Sequence, residues 1–512
     1  MLKIPSALEL YDDSDAARSK AGTPSSGEMI RAAVGFLLAA LVIRGATFGY
    51  PVLHIDEQFY LLVGDRMLHG ALPFVDIWDR KPVGLFMIYA GIRLLGGLGV
   101  VQYQVVATLF AAATTLVIYR MARMVAPAWG AWWAGVAYLL CLSGYQCFGG
   151  QAPVFFNLPM ALAALILCRM VAQGEQARLL RGGLGVMALV GVALQIKYTV
   201  LFEGIAFGLA LMWLGHRQGW SHGRVLTASV AWIVMALTPT LLAFGYYVAI
   251  GHGAAFAYAN FQSIFARSES MEGAFGRLAK EMGALAPVWL AIFLAPFMLA
   301  APAHQNNRVL AFLRFWSVAA MLGFLVFGVW YDHYVAPMLV PLMATAAPAL
   351  GRRWKDGLWY TVLLILVSAG AAIAITHYTM THHGTREQIE RMAQAIDRER
   401  QGACIYINEG DPILYQYTHA CIVTPYIFPN HLNGMVDFNA LGINGMDEVA
   451  RIMNQHPRVV VMTREPSSEP PNWAVRSYIQ TRLARDYVLA DAMNVGWRRM
   501  LVYRLKETTK TR

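Results

Sequence analysis

Charge is what this chain has least of. Asp, Glu, Lys and Arg make up 14% of its 512 residues, where a soluble domain carries about a quarter, so a soluble globular protein of this length is excluded. Cysteine is scarce too. There are five, none in a C-x-x-C pair, which leaves no zinc-ribbon or dithiol redox motif. Cys141, Cys147 and Cys168 fall inside apolar runs and read as small packed hydrophobes. Near the start no short apolar core is followed by a small-residue cleavage site. Residues 1–28 are instead polar, acidic in the middle and rich in Ser and Gly, the composition of a disordered cytoplasmic tail. The net charge of +10 is not gathered into a basic patch interleaved with aromatics, which argues against nucleic acid as a partner.

What remains is hydrophobic: 57% of the chain, with a mean hydropathy of +0.45. Apolar runs recur at 31–50, 82–98, 103–124, 130–148, 153–172, 184–197, 199–215, 226–250, 284–302, 309–329, 333–350 and 358–378. A full span takes about 20 residues, so the fold class is mainly α, a polytopic helical membrane protein. Fourteen Trp and 23 Tyr suit aromatic belts at the two interfaces.

Orientation follows from loop charge. Basic clusters at Arg120 and Arg123, at Arg169, Arg178 and Arg181, at Arg217 and Arg224, at Arg308, and at Arg352, Arg353 and Lys355 alternate with loops poor in charge or of mixed sign. All five fall on the side of the N-terminus only if run 82–98 dips into the membrane and returns. An excess of Lys and Arg marks the cytoplasmic side. The pattern therefore predicts about eleven spans plus one re-entrant helix, N-terminus inside and C-terminus outside. Runs 184–197 and 199–215 read as two spans joined by a tight external turn at Lys197. Residues 251–283 read as an external loop with a helix lying on the interface.

From about residue 384 the composition changes. TREQIERMAQAIDRER has helical periodicity, ACIYIN reads as a strand, EGDPILYQY as a short helix and CIVTPY as a strand. MDEVARIMNQH and WAVRSYIQTRLARD read as helices, RVVVMT, YVLADAM and WRRMLVYRL as strands. Such alternation predicts a small α/β domain. The expected organisation is thus a tail over 1–28, a transmembrane domain over 29–383 with its first external loop at 51–82, and an extracytoplasmic α/β domain over 384–512. Cys404 and Cys421 lie in two neighbouring predicted strands. An oxidising compartment would let them pair; two buried free thiols is the plainer reading and the one favoured here.

One stretch stands out against this background. Residues 54–82, HIDEQFYLLVGDRMLHGALPFVDIWDRKP, set Asp56, Glu57, Asp65, Asp76 and Asp79 among Arg66, Arg80 and Lys81, between two apolar runs. A membrane protein places such a cluster at water or in a cavity, and a functional site is the first reading. An acidic pair beside the membrane face serves as a base toward a hydroxyl, as a metal ligand, or as plain solvated charge. A Lys before Pro stands at the first turn of the next helix, where a cation and a helix N-terminus together suit phosphate. The plain alternative is a set of loop charges and surface ion pairs, which are worth little.

This stretch resembles the first external loop of the GT-C glycosyltransferases, in particular the protein O-mannosyltransferases and the lipid A aminoarabinose transferases. HIDEQFY matches the family's Asp-Glu entry to its first juxtamembrane helix. DIWDRKPVG matches the D-x-K-P-P segment, with Val83 where a second Pro is usual. The resemblance implies Asp56, with Glu57 beside it, as the catalytic acidic pair, Asp56 being the general base for the acceptor hydroxyl. It implies Lys81 on the donor phosphate, and Asp76 or Asp79 positioning a metal or the acceptor.

Further along, LQIKYTV puts Lys197 where related enzymes carry Lys at an external helix end. WYDHYVAPMLVP resembles the family's H-Y-x-x-x-x-x-P segment, which turns His333 and Tyr334 toward the donor phosphate or sugar, and Arg267 of FQSIFARS is a candidate second phosphate clamp. FGGQAPVFFNLPM resembles the second external turn, but with Gln151 and Asn157 where an acidic residue is usual. Each has a plain reading as well: Lys197 as a snorkelling side chain, Arg267 as an interfacial loop Arg, His333 as a structural histidine at a helix end. One His54 beside the pair makes no ligand set, so no cofactor is assigned and a divalent metal is left open.

The resemblance implies an enzyme of a bacterial-type inner (plasma) membrane. It would move a sugar from a polyprenyl-phosphate donor to a hydroxyl on a glycan, lipid or protein acceptor at the extracytoplasmic face, with inversion. Three other readings compete. A secondary transporter would show an internal repeat, and none is evident. A polymerase or ligase using a lipid diphosphate would keep its key residues in a late loop. A non-catalytic scaffold on the same fold is kept open by the missing acid near Asn157.

Overall fold

The structure is a computed structural model that describes residues 24–268, 271–298, 306–326, 328–351, 358–468 and 470–507. Most of the expected tail, residues 1–23, and the basic cluster at Arg352, Arg353 and Lys355 lie outside the described residues. The end of the expected tail is helical instead: a helix starts at Ser26, where Ser25 Oγ accepts from the Glu28 amide at 3.1 Å. Glu28 in turn accepts from Arg123 Nε at 2.8 Å. A Ser cap with an acid in the first turn is a helix start.

Each of the eleven expected spans is one helix: Ser26–Arg44, Val100–Ala122, Ala128–Gly144, Ala152–Gln173, Leu179–Leu194, Leu201–Arg217, His222–Ala249, Ala274–Met298, Asn307–Val326, Ala336–Leu350 and Leu358–His383. Among the described residues, eight helical stretches are long and apolar enough to cross a membrane. Leu179–Leu194 is shorter, at 16 residues. Run 82–98 folds as Val83–Arg93, 11 residues. At 1.5 Å per residue it is roughly 16 Å long, about half of a hydrocarbon core, so it dips and does not cross. The loop expected over 251–283 ends early, since the helix of the next span already begins at Ala274. Its first turns, AFGRLAKEM, are made of good helix formers.

A fully buried arginine fixes one end of the bundle. Arg44, the last residue of the first helix, donates from Nε to Thr108 Oγ1 at 3.1 Å, and from its two Nη atoms to the carbonyls of Cys147 and Gly149, each at 2.7 Å. A buried guanidinium without such partners would be very costly. The contacts pin the turn after Ala128–Gly144, against which the first external loop packs.

The C-terminal region is a four-stranded sheet in the order β1-β2-β4-β3, with β1 Ile405–Ile407, β2 Val459–Thr463, β3 Tyr487–Val495 and β4 Arg498–Leu505. β1 and β2 are parallel and the other two pairs antiparallel. Side chains alternate across a strand, and the sheet uses both faces. Ile405, Ile407, Val459 and Val461 join the large core, with Ile389, Met392 and Ile396 of the helix Arg386–Arg400. Tyr406, Val460 and Met462 join a second core under Gly445–Asn454 and Trp473–Asp486.

CIVTPY is not a strand; only a single bridge links Ile422 to Ile405. The reason is covalent: Cys404 and Cys421 form a disulfide, which holds the segment beside β1 and corrects the favoured reading of two free thiols. Trp78 of the first external loop is part of the second core, and its amide donates to Pro425 O at 3.0 Å. The loop and the C-terminal region are therefore packed as one.

Candidate active site

The polar stretch folds as helix, loop and helix. Ile55–Leu68 is capped by His54, whose Nδ1 accepts from the Asp56 amide at 3.2 Å. Asp56 thus stands in the first turn, where a negative charge is favoured. Lys81 precedes the helix Val83–Arg93 rather than belonging to its first turn, with Pro82 between. Its amide donates to Asp79 Oδ1 at 2.8 Å, a local turn bond of the kind Asp makes. That bond aims the Lys81 side chain back across Ile55–Leu68.

The result is a cation between two carboxylates. Lys81 Nζ lies 3.7 Å from Asp56 Oδ1 and 3.6 Å from Asp79 Oδ1. It also sits 5.1 Å from the centre of the Tyr60 ring and 5.9 Å from that of Phe428. Burial alone would raise the Asp56 carboxyl. Lys81, then His54, His333 and Lys197, overcome it and hold Asp56 well below the ordinary carboxylate range. Burial lowers the His54 imidazole against the pull of Asp56.

A second group closes one side. Lys197, in the turn after Leu179–Leu194, lies 4.4 Å from the centre of the Tyr334 ring, and burial, with Lys81 near it, lowers its ammonium to about 8. The His333 ring is 4.7 Å from Tyr334 and 5.4 Å from His54. Lys197, His333 and Tyr334 line a small cleft of about 30 Å³ whose walls include Pro153, Phe202, Phe324 and Met338. Glu203 is also in that wall, its carboxylate accepting from the indole N–H of the buried Trp316.

The C-terminal region supplies the remaining side. His431 Nε2 is 3.9 Å from Asp79 Oδ2. Burial drives the His431 imidazole down to about 4, so it meets Asp79 as a neutral ring. Asp437 Oδ1 accepts from Arg80 Nη1 at 2.6 Å and from Arg267 Nε at 2.9 Å. Burial would raise Asp437; the two arginines outweigh it and keep it ionised far below the usual range.

Of the residues singled out in the sequence, Asp56, Lys81, Asp79, His54, His333, Tyr334 and Lys197 are thus brought together, with Arg267 one carboxylate away. Glu57 and Asp76 are not. Glu57 is fully buried on the inner side, so close to Gly149 that a Cβ there would meet its Oε2 at 2.0 Å. Burial raises its carboxyl to about 7. The Gly150 amide and the Tyr103 hydroxyl pull it down, without reaching hydrogen-bond geometry. Asp76 is exposed and accepts from the Leu72 amide at 2.7 Å, closing its own turn.

At the second external turn, Asn157 is buried and donates to the Tyr138 hydroxyl and the Ala336 carbonyl, both at 3.1 Å, bracing two helices where an acid was looked for. Sequence reasoning gave no role to Tyr60, Arg80, Phe428, His431 or Asp437. The last three lie in FPNHLNGMVDF, more than 340 positions from Lys81, and no periodicity or motif marks them. Among the described residues, no group of three or more His, Cys, Asp or Glu side chains is placed to hold a metal ion. The acids at the site face Lys81, so the residues present do not fit a metal, and none enters the chemistry below.

The arrangement as a whole offers an ionised carboxylate, cations for a phosphate and an apolar cleft at one end of a helical bundle. Residues 79–243 match the model of the dolichyl-phosphate-mannose-protein mannosyltransferase family. The match takes in Lys81 and Lys197 and begins after Asp56. The fold is similar to that of ArnT from Cupriavidus metallidurans bound to undecaprenyl phosphate, at 16% identity over 92% of this chain and 97% of that one, with a TM-score of 0.62. The apo state of that protein matches at 15%, with the same coverage and a TM-score of 0.60. An oligosaccharyltransferase of Archaeoglobus fulgidus in its apo form matches at 12% over 86% of this chain and 70% of that one, with a TM-score of 0.52. No curated protein matches the chain significantly. The fold is the GT-C fold, and the family resemblance is borne out, the family match covering 79–82 of the first external loop and not HIDEQFY.

Proposed function

We propose that the protein is a membrane glycosyltransferase that moves a sugar from a polyprenyl-phosphate donor to a hydroxyl of a glycan, lipid or protein acceptor. The observation that carries this reading is Lys81, held between Asp56 and Asp79 and near Lys197, which lines a cleft with largely apolar walls. A phosphate on an apolar chain needs both features: a cation to meet the anion and an apolar wall for the tail.

The chemistry is one displacement. The donor phosphate docks on Lys81, with Lys197 and Tyr334 beside it and Arg267 as the clamp from the neighbouring loop. The acceptor hydroxyl lies against Asp56. Its oxygen attacks the anomeric carbon from the face opposite the phosphate, the bond from that carbon to the phosphate oxygen breaks, and the hydroxyl proton passes to Asp56. One attack from the opposite face inverts the centre. Charge growing on the leaving phosphate is stabilised where the lysines already stand. Docking also strengthens the base: a phosphate that engages Lys81 withdraws its cation from Asp56, and the carboxyl rises toward the range in which it takes a proton.

The reaction side is extracytoplasmic in this proposal, with the protein in a bacterial-type inner membrane. The Cys404–Cys421 disulfide supports an oxidising compartment for the C-terminal domain, and the arginine-rich loops at the other end support a cytoplasmic face there.

The test is transfer in proteoliposomes from a panel of polyprenyl-phosphate sugars. Asp56→Asn should lower the rate by about 10²–10⁴, the usual worth of a general base, while Asp76→Asn stays close to wild type. Undiminished transfer by Asp56→Asn would remove the base, and product with retained anomeric configuration would remove the single displacement.

A further inference from the structure

We propose a second site, for the headgroup of an anionic phospholipid, at the end of the bundle opposite the reaction site. The helix Ala152–Gln173 starts beside the site, where Pro153 lines the cleft, and runs 22 residues. At 1.5 Å per residue its far end is about 33 Å away, close to the thickness of a hydrocarbon core. A headgroup site there faces the other leaflet.

At that far end an open cleft of about 460 Å³ is lined by Ile166, Arg169, Met170, Gln173, Gln176, Arg178 and Gly182. Four of these, at 166, 169, 170 and 173, share one face of the helix, since residues three and four apart are neighbours. Their order matters. Ile166 and Met170 are apolar and lie deeper; Arg169 and Gln173 are polar and lie toward the end. Gly182 makes the room: a Cβ there would meet Met170 Sδ at 2.7 Å. An apolar wall below a basic and amide rim has the polarity profile of a phospholipid, with acyl chain below and phosphodiester above.

The charges fit an anion, and no described side chain supplies one. Among the described residues, neither the Arg169 nor the Arg178 guanidinium has a hydrogen-bond or ion-pair partner. Arg120 is close enough to feel the Arg169 charge, and the Arg308 guanidinium lies 3.3 Å from where a Gly174 Cβ would be. Glu175 is exposed in the turn between the two helices and forms no salt bridge among the described residues. Arg178 is the N-cap of Leu179–Leu194 and no side chain caps that helix, so its free amides point to the same place and favour negative charge. The turn is held in position, because Gln218 Nε2 donates to the carbonyls of Gly174 and Ala177 at 2.9 and 3.1 Å. Two other arginines at this end rest on rings: Arg224 lies 4.0 Å from the centre of the Trp220 ring and Arg217 5.6 Å from that of Trp213. Basic pockets between helices on a cytoplasmic face are known to take anionic headgroups. This proposal does not depend on the donor reading above.

The test is native mass spectrometry of the full chain with phosphatidylglycerol or phosphatidylethanolamine, beside Arg169→Gln/Arg178→Gln and the control Arg217→Gln. Wild type and the control should retain phosphatidylglycerol at least tenfold better than phosphatidylethanolamine, and the double variant should lose that preference while melting at the wild-type temperature. Equal retention of the two lipids by wild type, or an unchanged preference in the double variant, would overturn the proposal. Displacement of the lipid by millimolar inorganic phosphate would also overturn it, since the site would then take a free anion. If the double variant fails to fold, the comparison of the two lipids on wild type decides alone.

Discussion

The two ends of the bundle carry the same kinds of charge and use them in opposite ways. At the site end the charges are buried and paired across distant segments: Lys81 with Asp56 and Asp79, Asp437 with Arg80 and Arg267. At the far end the arginines are mostly exposed, two rest on aromatic rings, and few carboxylates are present among the described residues. A buried pair broken on one side leaves a stranded charge, whereas an exposed arginine returns to water. The contrast teaches where substitutions should matter: a lost partner strands a charge at the site end and leaves an exposed one at the far end.

The largest effect should come from breaking the pair that joins the two halves of the site. Asp437→Ala removes the buried carboxylate that the partly buried Arg80 and Arg267 share and should cost about 3 kcal/mol, read as a fall in melting temperature and faster proteolysis between 384 and 507. A cost under about 1 kcal/mol would mean that the site end is no more tightly built than the far end. Next is the disulfide. Replacing Cys404 and Cys421 by Ser opens a loop with a sequence separation of 17 and should cost about 3 kcal/mol. Alkylation of both thiols in the unreduced protein would show that the link does not form.

A smaller effect is expected at Glu57, and it depends on pH. Its carboxyl is raised from 4.5 to about 7, so the folded protein holds that proton where the unfolded chain has lost it. The stability this contributes is present below about pH 4.5 and fades as pH rises through 7. Each pKa unit is worth about 1.4 kcal/mol, which bounds the loss at about 3 kcal/mol by pH 8. Glu57→Gln should therefore melt higher than wild type at pH 8, with the gap closing toward pH 5. A gap that widens toward pH 5 would mean that Glu57 is ionised in the fold. Least of all, Arg217→Ala at the far end should change stability by less than about 0.5 kcal/mol.

These regions also differ in how legible they were. The bundle follows from hydropathy because a span must be long and apolar, and every apolar run became one helix. Reading run 82–98 as a dip rested on loop charge, and the 11 residues of Val83–Arg93 agree. In the C-terminal region, strands with β-branched periodicity such as RVVVMT were plain, while CIVTPY was mistaken for one because its place is set by a disulfide and a single bridge. Within the site, Asp56 and Lys81 lie 25 positions apart in one loop, and that loop carries a family's pattern. Phe428, His431 and Asp437 reach the same place only through the folded chain, from a segment whose residues have no local signature. Glu57 and Asp56 are adjacent in sequence, but successive helical positions face different ways, so one meets Lys81 and the other Gly149.

The most direct test of the central claim is native mass spectrometry of the purified protein with polyprenyl phosphate, comparing wild type, Asp56→Asn and Lys81→Ala. The account predicts that wild type and Asp56→Asn retain the lipid, because the carboxylate acts on the acceptor, and that Lys81→Ala loses it. Lipid held equally well without Lys81, or not held by wild type, would contradict the claim that this lysine is the seat of the donor phosphate.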